Sequence, residues 1–130
     1  MNYTKLINFN GTPCVEFSAG GYTGLLAYEI GSNLIRLRDN VKGMEIVRFS
    51  DSNAAKDIMA SAEVWGLPTL YLPNRFADGV LRTSDNVYHL PVNEKAPFSN
   101  HIHGFIHKRK HELVEHISDE TSATVRTRYV

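Results

Sequence analysis

Apolar residues in the first half of this chain recur in short runs broken by glycine, asparagine and aspartate, a pattern that predicts strands and tight turns. Thr12 to Ser18 forms one candidate strand, stopped at Ala19-Gly20-Gly21, and Tyr22 to Ile30 forms the next, turned back by Gly31-Ser32-Asn33. In Ile35-Arg36-Leu37-Arg38 apolar and basic residues alternate, which puts Ile35 and Leu37 on one face and the arginines on the other. Asp39-Asn40 is a turn signal and Met44 to Phe49 a further strand, so the two strands flanking this turn are expected to pair as a hairpin. Asp51-Ser52-Asn53 offers three successive N-cap residues, and one short helix is expected from Asn53 to Ala62 with Ile58, Met59 and Ala62 inward. Gly66 and Pro68 end any helical pattern.

Beyond Leu67 the chain reads as extended again. Thr69-Leu70-Tyr71-Leu72 is halted by Pro73, and Asp78-Gly79 makes a tight turn between Arg75-Phe76 and Val80-Leu81. Ser84-Asp85-Asn86 turns the chain into Val87-Tyr88-His89-Leu90, and a loop from Pro91 to Pro97 delivers it to Asn100. Lys110 to Ser118 fits two descriptions: Leu113 and Ile117 are four apart, as on a helix, while Leu113, Glu115 and Ile117 also fit one face of a strand. Ser118 to Ser122 is a turn, and Ala123, Val125 and Tyr129 alternate with Thr124, Arg126 and Arg128 in strand fashion to the end at Val130. A strand ending there leaves an unpaired edge, from which the chain is expected to be a piece of a larger sheet. Short strands with glycine and asparagine turns predict an all-β architecture, an antiparallel β-sandwich incomplete in this chain, with one short helix.

Composition narrows the classes. One hundred and thirty residues suffice for one domain with a core, and 42% apolar with 22% charged residues speaks against disorder. Fourteen basic residues balance fourteen acidic ones, so no long-range attraction draws the chain to nucleic acid or an anionic membrane. The N-terminus has no apolar stretch of signal-peptide type, and no window reaches the roughly 18 apolar residues of a membrane span, so the expected location is the cytoplasm. The single cysteine, Cys14, has no disulfide partner and is expected as a half-buried strand residue rather than a nucleophile.

The chemistry-bearing residues concentrate in two segments. Asn100-His101-Ile102-His103-Gly104-Phe105-Ile106-His107 holds three of the six histidines. In an extended conformation His101 and His103 share a face, joined by His107 if the strand runs through. Such histidines can hydrogen-bond a substrate oxygen or move a proton, can bind a metal as His101, His103 and His107 on a β-scaffold, or can be ordinary surface and core residues. Upstream, Arg75 can bind a carboxylate or offer fixed N–H donors to a polar uncharged ligand, with Asn74 adding a donor and an acceptor. Trp65, Tyr71, Phe76, Tyr88 and Phe105 lie near both segments, as core residues or as a platform for a sugar ring. Glu94 is a loop carboxylate that can act as a base or a metal ligand, and is expected as an ordinary solvated side chain.

Gly66-Leu67-Pro68 running through Leu72-Pro73-Asn74-Arg75-Phe76-Ala77-Asp78-Gly79, then Tyr88-His89-Leu90-Pro91, then Asn100-His101-Ile102-His103-Gly104-Phe105, resembles the aldose 1-epimerase (galactose mutarotase) family. The resemblance implies that residues 1–130 are the N-terminal part of a β-sandwich carbohydrate enzyme that interconverts α and β anomers of hexoses, with no cofactor and no metal. It assigns Asn74 and Arg75 to sugar binding, and His103 to both sugar binding and catalysis. The family's proton donor, a second histidine, and its base, a glutamate, lie further along a longer chain, so activity is expected to need a C-terminal half. Phe105 stands where many members have a second glycine, and His101 is an additional histidine. The partners implied are a monosaccharide of glucose or galactose type, with no nucleic acid and no membrane, and a homodimer or a C-terminal half covering the open sheet edges. The alternatives are a non-catalytic carbohydrate-binding module of the same fold and a His-x-His metal-binding β-barrel protein.

Overall fold

Glycine-containing turns between short apolar strands build most of this structure, a computed structural model that describes residues 1–51, 58, 61 and 64–130. The chain divides into two compact units, one of residues 1–69 with 106–130 and the other of Leu70–Phe105.

In the first unit, β1 (Tyr3–Phe9), β2 (Thr12–Ala19), β3 (Tyr22–Ala27), β4 (Asn33–Asp39) and β5 (Met44–Glu45) form one antiparallel sheet in sequence order. Strand β1 is not marked by alternation, because Lys5 and Leu6, on opposite faces, are both exposed while Ile7 and Phe9 pack on the core. The expected hairpin across Asp39-Asn40 forms, but its second strand is only two residues long rather than the six from Met44 to Phe49. The shortened strand still anchors the arginine face of β4: Glu45 takes Arg36 and Arg38 at 2.6 and 3.0 Å.

The core of this unit gathers Cys14, Leu25, Ala27, Ile30, Ile35 and Ile58, with Ile7, Phe9 and Trp65 against it. The predicted shared face for Ile35 and Leu37 does not hold. Arg36 pairs with Leu25 but Leu34 pairs with Leu26, so Ile35 is the extra residue of a bulge. It turns into the core beside Leu25, whereas Leu37 pairs with Gly24 on the opposite face. One added residue reverses every side chain beyond it. The expected helix from Asn53 to Ala62 lies outside the described residues except for Ile58, which is fully buried as foreseen, and Ser61.

The second face of the sheet carries Phe17 over Gly24, where an added Cβ would run into the Phe17 ring. A hairpin of β10 (Glu112–Ser118) and β11 (Ala123–Arg128) packs against β1 and β2, and Ala123, Thr124 and Val125 approach Phe17, Leu26 and Leu34. Within the Lys110 to Ser118 stretch Glu112–Ser118 is thus a strand rather than a helix, and a bulge between Leu113 and Glu115 breaks the single face expected for Leu113, Glu115 and Ile117. Its turn is organised by Asp119, whose carboxylate accepts from the backbone N–H and hydroxyl of both Thr121 and Ser122.

In the second unit β6 (Arg75–Ala77) pairs with β9 (Asn100–Ile102), and β7 (Val80–Arg82) with β8 (Val87–His89), both antiparallel. The Asp78-Gly79 and Ser84 to Asn86 turns fall where expected, while Tyr71 contributes only an isolated bridge rather than an extended strand. No helix among the described residues is long and apolar enough to cross a membrane.

Two measurements check this account. Gly24→Ala is expected to destabilise the protein by ~1–3 kcal/mol in chemical denaturation through overpacking against Phe17, with part of the loss recovered in a Phe17→Leu background. The Asp119 carboxyl is lowered from 3.8 to about 2, first by the Thr121 backbone N–H and then by the other three donors. A depressed carboxyl stabilises the turn above its ordinary titration range and loses that contribution as pH falls through the lowered value. The Thr121 and Ser122 amide resonances should therefore titrate with a midpoint near 2 rather than 3.8.

Candidate functional site

The site is assembled at one end of the β6–β9 ladder. Arg75 pairs with Ile102, Phe76 with His101 and Ala77 with Asn100. Just outside this ladder the backbone turns left-handed on both strands, with φ 64° at Asn74 and 65° at His103. Asparagine tolerates that conformation readily and histidine less so, which marks position 103 as a local constraint. The His103 N–H donates to the Asn74 carbonyl at 3.1 Å and ties the two departures together. Gly104 follows, also left-handed, and forms a bridge with Tyr71; a Cβ there would run into the Tyr71 carbonyl. The His-Gly pair therefore needs its glycine for close backbone approach.

Asn74, Arg75 and His103, the three site residues expected from sequence, are thus brought together: Asn74 and Arg75 exposed, His103 half-buried. The Arg75 guanidinium does not stand alone. Its Nε donates to both Glu94 carboxylate oxygens at 2.8 and 3.1 Å, and its Nη2 lies 2.8 Å from Oε1. Glu94 Oε2 also accepts from the Asn100 amide at 2.7 Å. The Asn100 hydrogen bond first, and then Arg75, hold the Glu94 carboxyl below its ordinary value. Beside it Asn93 imitates a strand, accepting from the Ile102 N–H at 2.7 Å and donating to its carbonyl at 3.0 Å.

Glu94, expected as a solvated loop carboxylate, is instead a fixed partner of the site with its side chain only 13% exposed. Nothing in the spacing of Glu94 from Arg75 announces this; only the folded loop between Pro91 and Asn100 brings them together. Its oxygens are engaged by donors and its carboxyl is depressed, both unfavourable for a base.

The expected shared face of His101 and His103 is corrected, because β9 ends at Ile102 and the left-handed backbone at His103 breaks the two-residue period. His101 is fully buried, its Nδ1 2.7 Å from the Pro91 carbonyl and its ring 6.5 Å from Phe76 and 5.0 Å from Phe105. With that Nδ1 donating, its Nε2 is left as an acceptor. His107 does not continue the strand; it is buried in a single 3-10 turn, Ile106–Lys108, of the other unit. Among the described residues no group of three or more His, Cys, Asp or Glu side chains is placed to hold a metal ion.

Of the aromatic residues, Tyr71, Tyr88 and Phe105 are 62%, 49% and 42% exposed, open enough for a sugar ring to stack on them. Phe76 is half-buried against His101, and Trp65 packs on the core of the other unit beneath the Arg48 guanidinium. Cys14 is fully rather than half buried, and desolvation pushes its thiol up to about 12, which leaves it unreactive at neutral pH.

Comparison with known proteins agrees with the fold and the motif. The crystal structure of a galactose mutarotase-like protein from Clostridium acetobutylicum superimposes with a TM-score of 0.88 at 34% sequence identity. The match covers 97% of this chain and 38% of that one, so the chain spans well under half the length of this relative. The described strands accordingly have the galactose mutarotase-like, antiparallel all-β fold. The family model for aldose 1-epimerase matches residues 13–129. On these grounds the chain belongs to the aldose 1-epimerase family.

Proposed function

We propose that Asn74, Arg75 and His103 form the sugar-binding side of an aldose 1-epimerase that interconverts the α and β anomers of a hexose of glucose or galactose type. The observation that carries this is the hydrogen bond from the His103 N–H to the Asn74 carbonyl, which holds three polar side chains at one ladder end. Arg75, already paired with Glu94, suits an uncharged hydroxylated ligand better than an anion, because its charge is largely answered. Asn74 offers a donor and an acceptor to neighbouring hydroxyls, and exposed Tyr71 and Phe105 flank Gly104 as surfaces for the apolar face of the ring.

In the reaction a base removes the proton of the anomeric hydroxyl while an acid protonates the ring oxygen, and the C1–O5 bond breaks to give the open-chain aldehyde. Rotation about C1–C2 and reclosure, with both protons returned, yields the other anomer. No electrons are exchanged with a partner, so the chemistry asks only for positioned proton transfer. His103 would contact the sugar near the ring oxygen. A second proton-transfer group is needed besides these three residues, and by family resemblance it is supplied by a longer chain. These 130 residues alone should then bind sugar without accelerating the reaction appreciably.

The test follows exchange between α and β glucose and galactose by NMR, in the protein at its native length and in residues 1–130. The native-length protein should accelerate exchange, and His103→Ala should reduce that rate by about 10²- to 10⁴-fold, the scale of a lost proton-transfer or polarising group. Exchange by the native-length protein no faster than in buffer would overturn the enzyme assignment. Sugar binding without exchange would assign a non-catalytic carbohydrate-binding module of the same fold.

A further inference from the structure

Glu94 reaches the site from outside both motif segments, and its contacts are more elaborate than a surface ion pair needs. It occupies the Nε edge of Arg75 while its own backbone N–H donates to the Asn100 carbonyl at 3.1 Å and its Oε2 holds the Asn100 amide. Its neighbour Asn93 is bonded twice to Ile102, the residue that pairs with Arg75. The carboxylate is therefore anchored to β9 from two sides, whereas the Arg75 side chain is 53% exposed and would otherwise swing freely. The engaged edge leaves Nη1 with no hydrogen-bonding partner among the described residues. The result is an arginine whose direction is set and whose charge is balanced, with one N–H-bearing corner still available.

We propose that Glu94 is a positioning and specificity-determining residue: it aims the free corner of Arg75 at a ligand hydroxyl and, by neutralising the guanidinium, disfavours anionic sugars relative to neutral ones. This inference rests on the sugar-binding assignment of Arg75. A carboxylate or phosphate on the ligand would have to compete with Glu94 for the same guanidinium, and it would approach a fixed negative charge. A neutral hydroxyl meets neither penalty. Exchanging Glu94 for glutamine keeps the size of the side chain and removes the charge, whereas aspartate keeps the charge and shortens the reach, so the pair of variants separates the two effects.

The experiment measures binding of galactose, glucose, glucuronate and glucose 6-phosphate to the native-length protein and its variants by ligand-observed NMR. Wild type is expected to prefer the neutral sugars. Glu94→Gln should weaken neutral-sugar binding and strengthen glucuronate or glucose 6-phosphate binding, shifting the ratio on the order of tenfold. Glu94→Asp, which keeps the charge and shortens the reach, should weaken neutral sugars while the preference against anions persists. It also reads the proposal if the glutamine variant fails to fold. An unchanged neutral-to-anionic ratio in Glu94→Gln, or an equal loss of both classes, overturns the role of Glu94 while leaving the sugar site standing. A wild type that binds no sugar at all overturns the sugar-site assignment and this inference with it.

Discussion

Three residues of β6 paired with three of β9 are all the regular structure that holds the candidate site, and so short a ladder is marginal in water without reinforcement. The reinforcement here is polar. Every buried apolar side chain among the described residues belongs to the other unit; within Leu70–Phe105 the buried large side chain is a histidine. His101 is secured by the Pro91 carbonyl and by rings on either side, Ile102 by the side chain of Asn93, and Asn100 by Glu94. The loop from Pro91 to Asn100 thus serves as a third strand made partly of side chains. Its loss would release Arg75 and the edge of β9 together, which is why the site cannot be understood from the two motif segments alone.

The other unit is stabilised by ordinary means and correspondingly easier to read. Turn glycines and alternating residues located β2 to β4 and β11 closely, since those signals are local. Three features escaped for physical reasons. Strand β1 leaves Lys5 and Leu6 exposed on opposite faces, so no period of two is visible in its sequence. The bulge at Ile35 is decided by pairing with β3, and the alternation of Ile35-Arg36-Leu37-Arg38 looks regular until a partner strand is present. Strand β5 stops after Glu45 although apolar residues continue: Phe49 instead lies under the Arg36 guanidinium at 4.6 Å and beside Phe9.

At the site, legibility followed the distinction between backbone and side chain. The Asn-Arg and His-Gly motifs were located by resemblance to the family, and the backbone supplies a physical reason for two of their residues, a left-handed Asn74 and a Gly104 held under the Tyr71 carbonyl. The function of His101 was less legible. Its two-residue spacing from His103 suggested a shared face, but the change of backbone at His103 ended the strand and left His101 as a packing residue. Glu94 was the least legible, since its partners are Arg75, 19 residues before it, and Asn100, 6 residues after it across a loop.

The two ionisable groups nearest the motif differ in how completely their hydrogen bonding is met. Glu94 is held charged by donors on both oxygens; taking up a proton would cost it the Asn100 and Arg75 contacts, so it is a poor base near neutrality and a good orienting group. His103 is arranged in the opposite sense. Its Nδ1 is shielded from solvent and has no hydrogen-bonding partner among the described residues, so no contact there selects the tautomer. A shielded nitrogen without a partner is costly, so position 103 carries a second local cost beside its left-handed backbone.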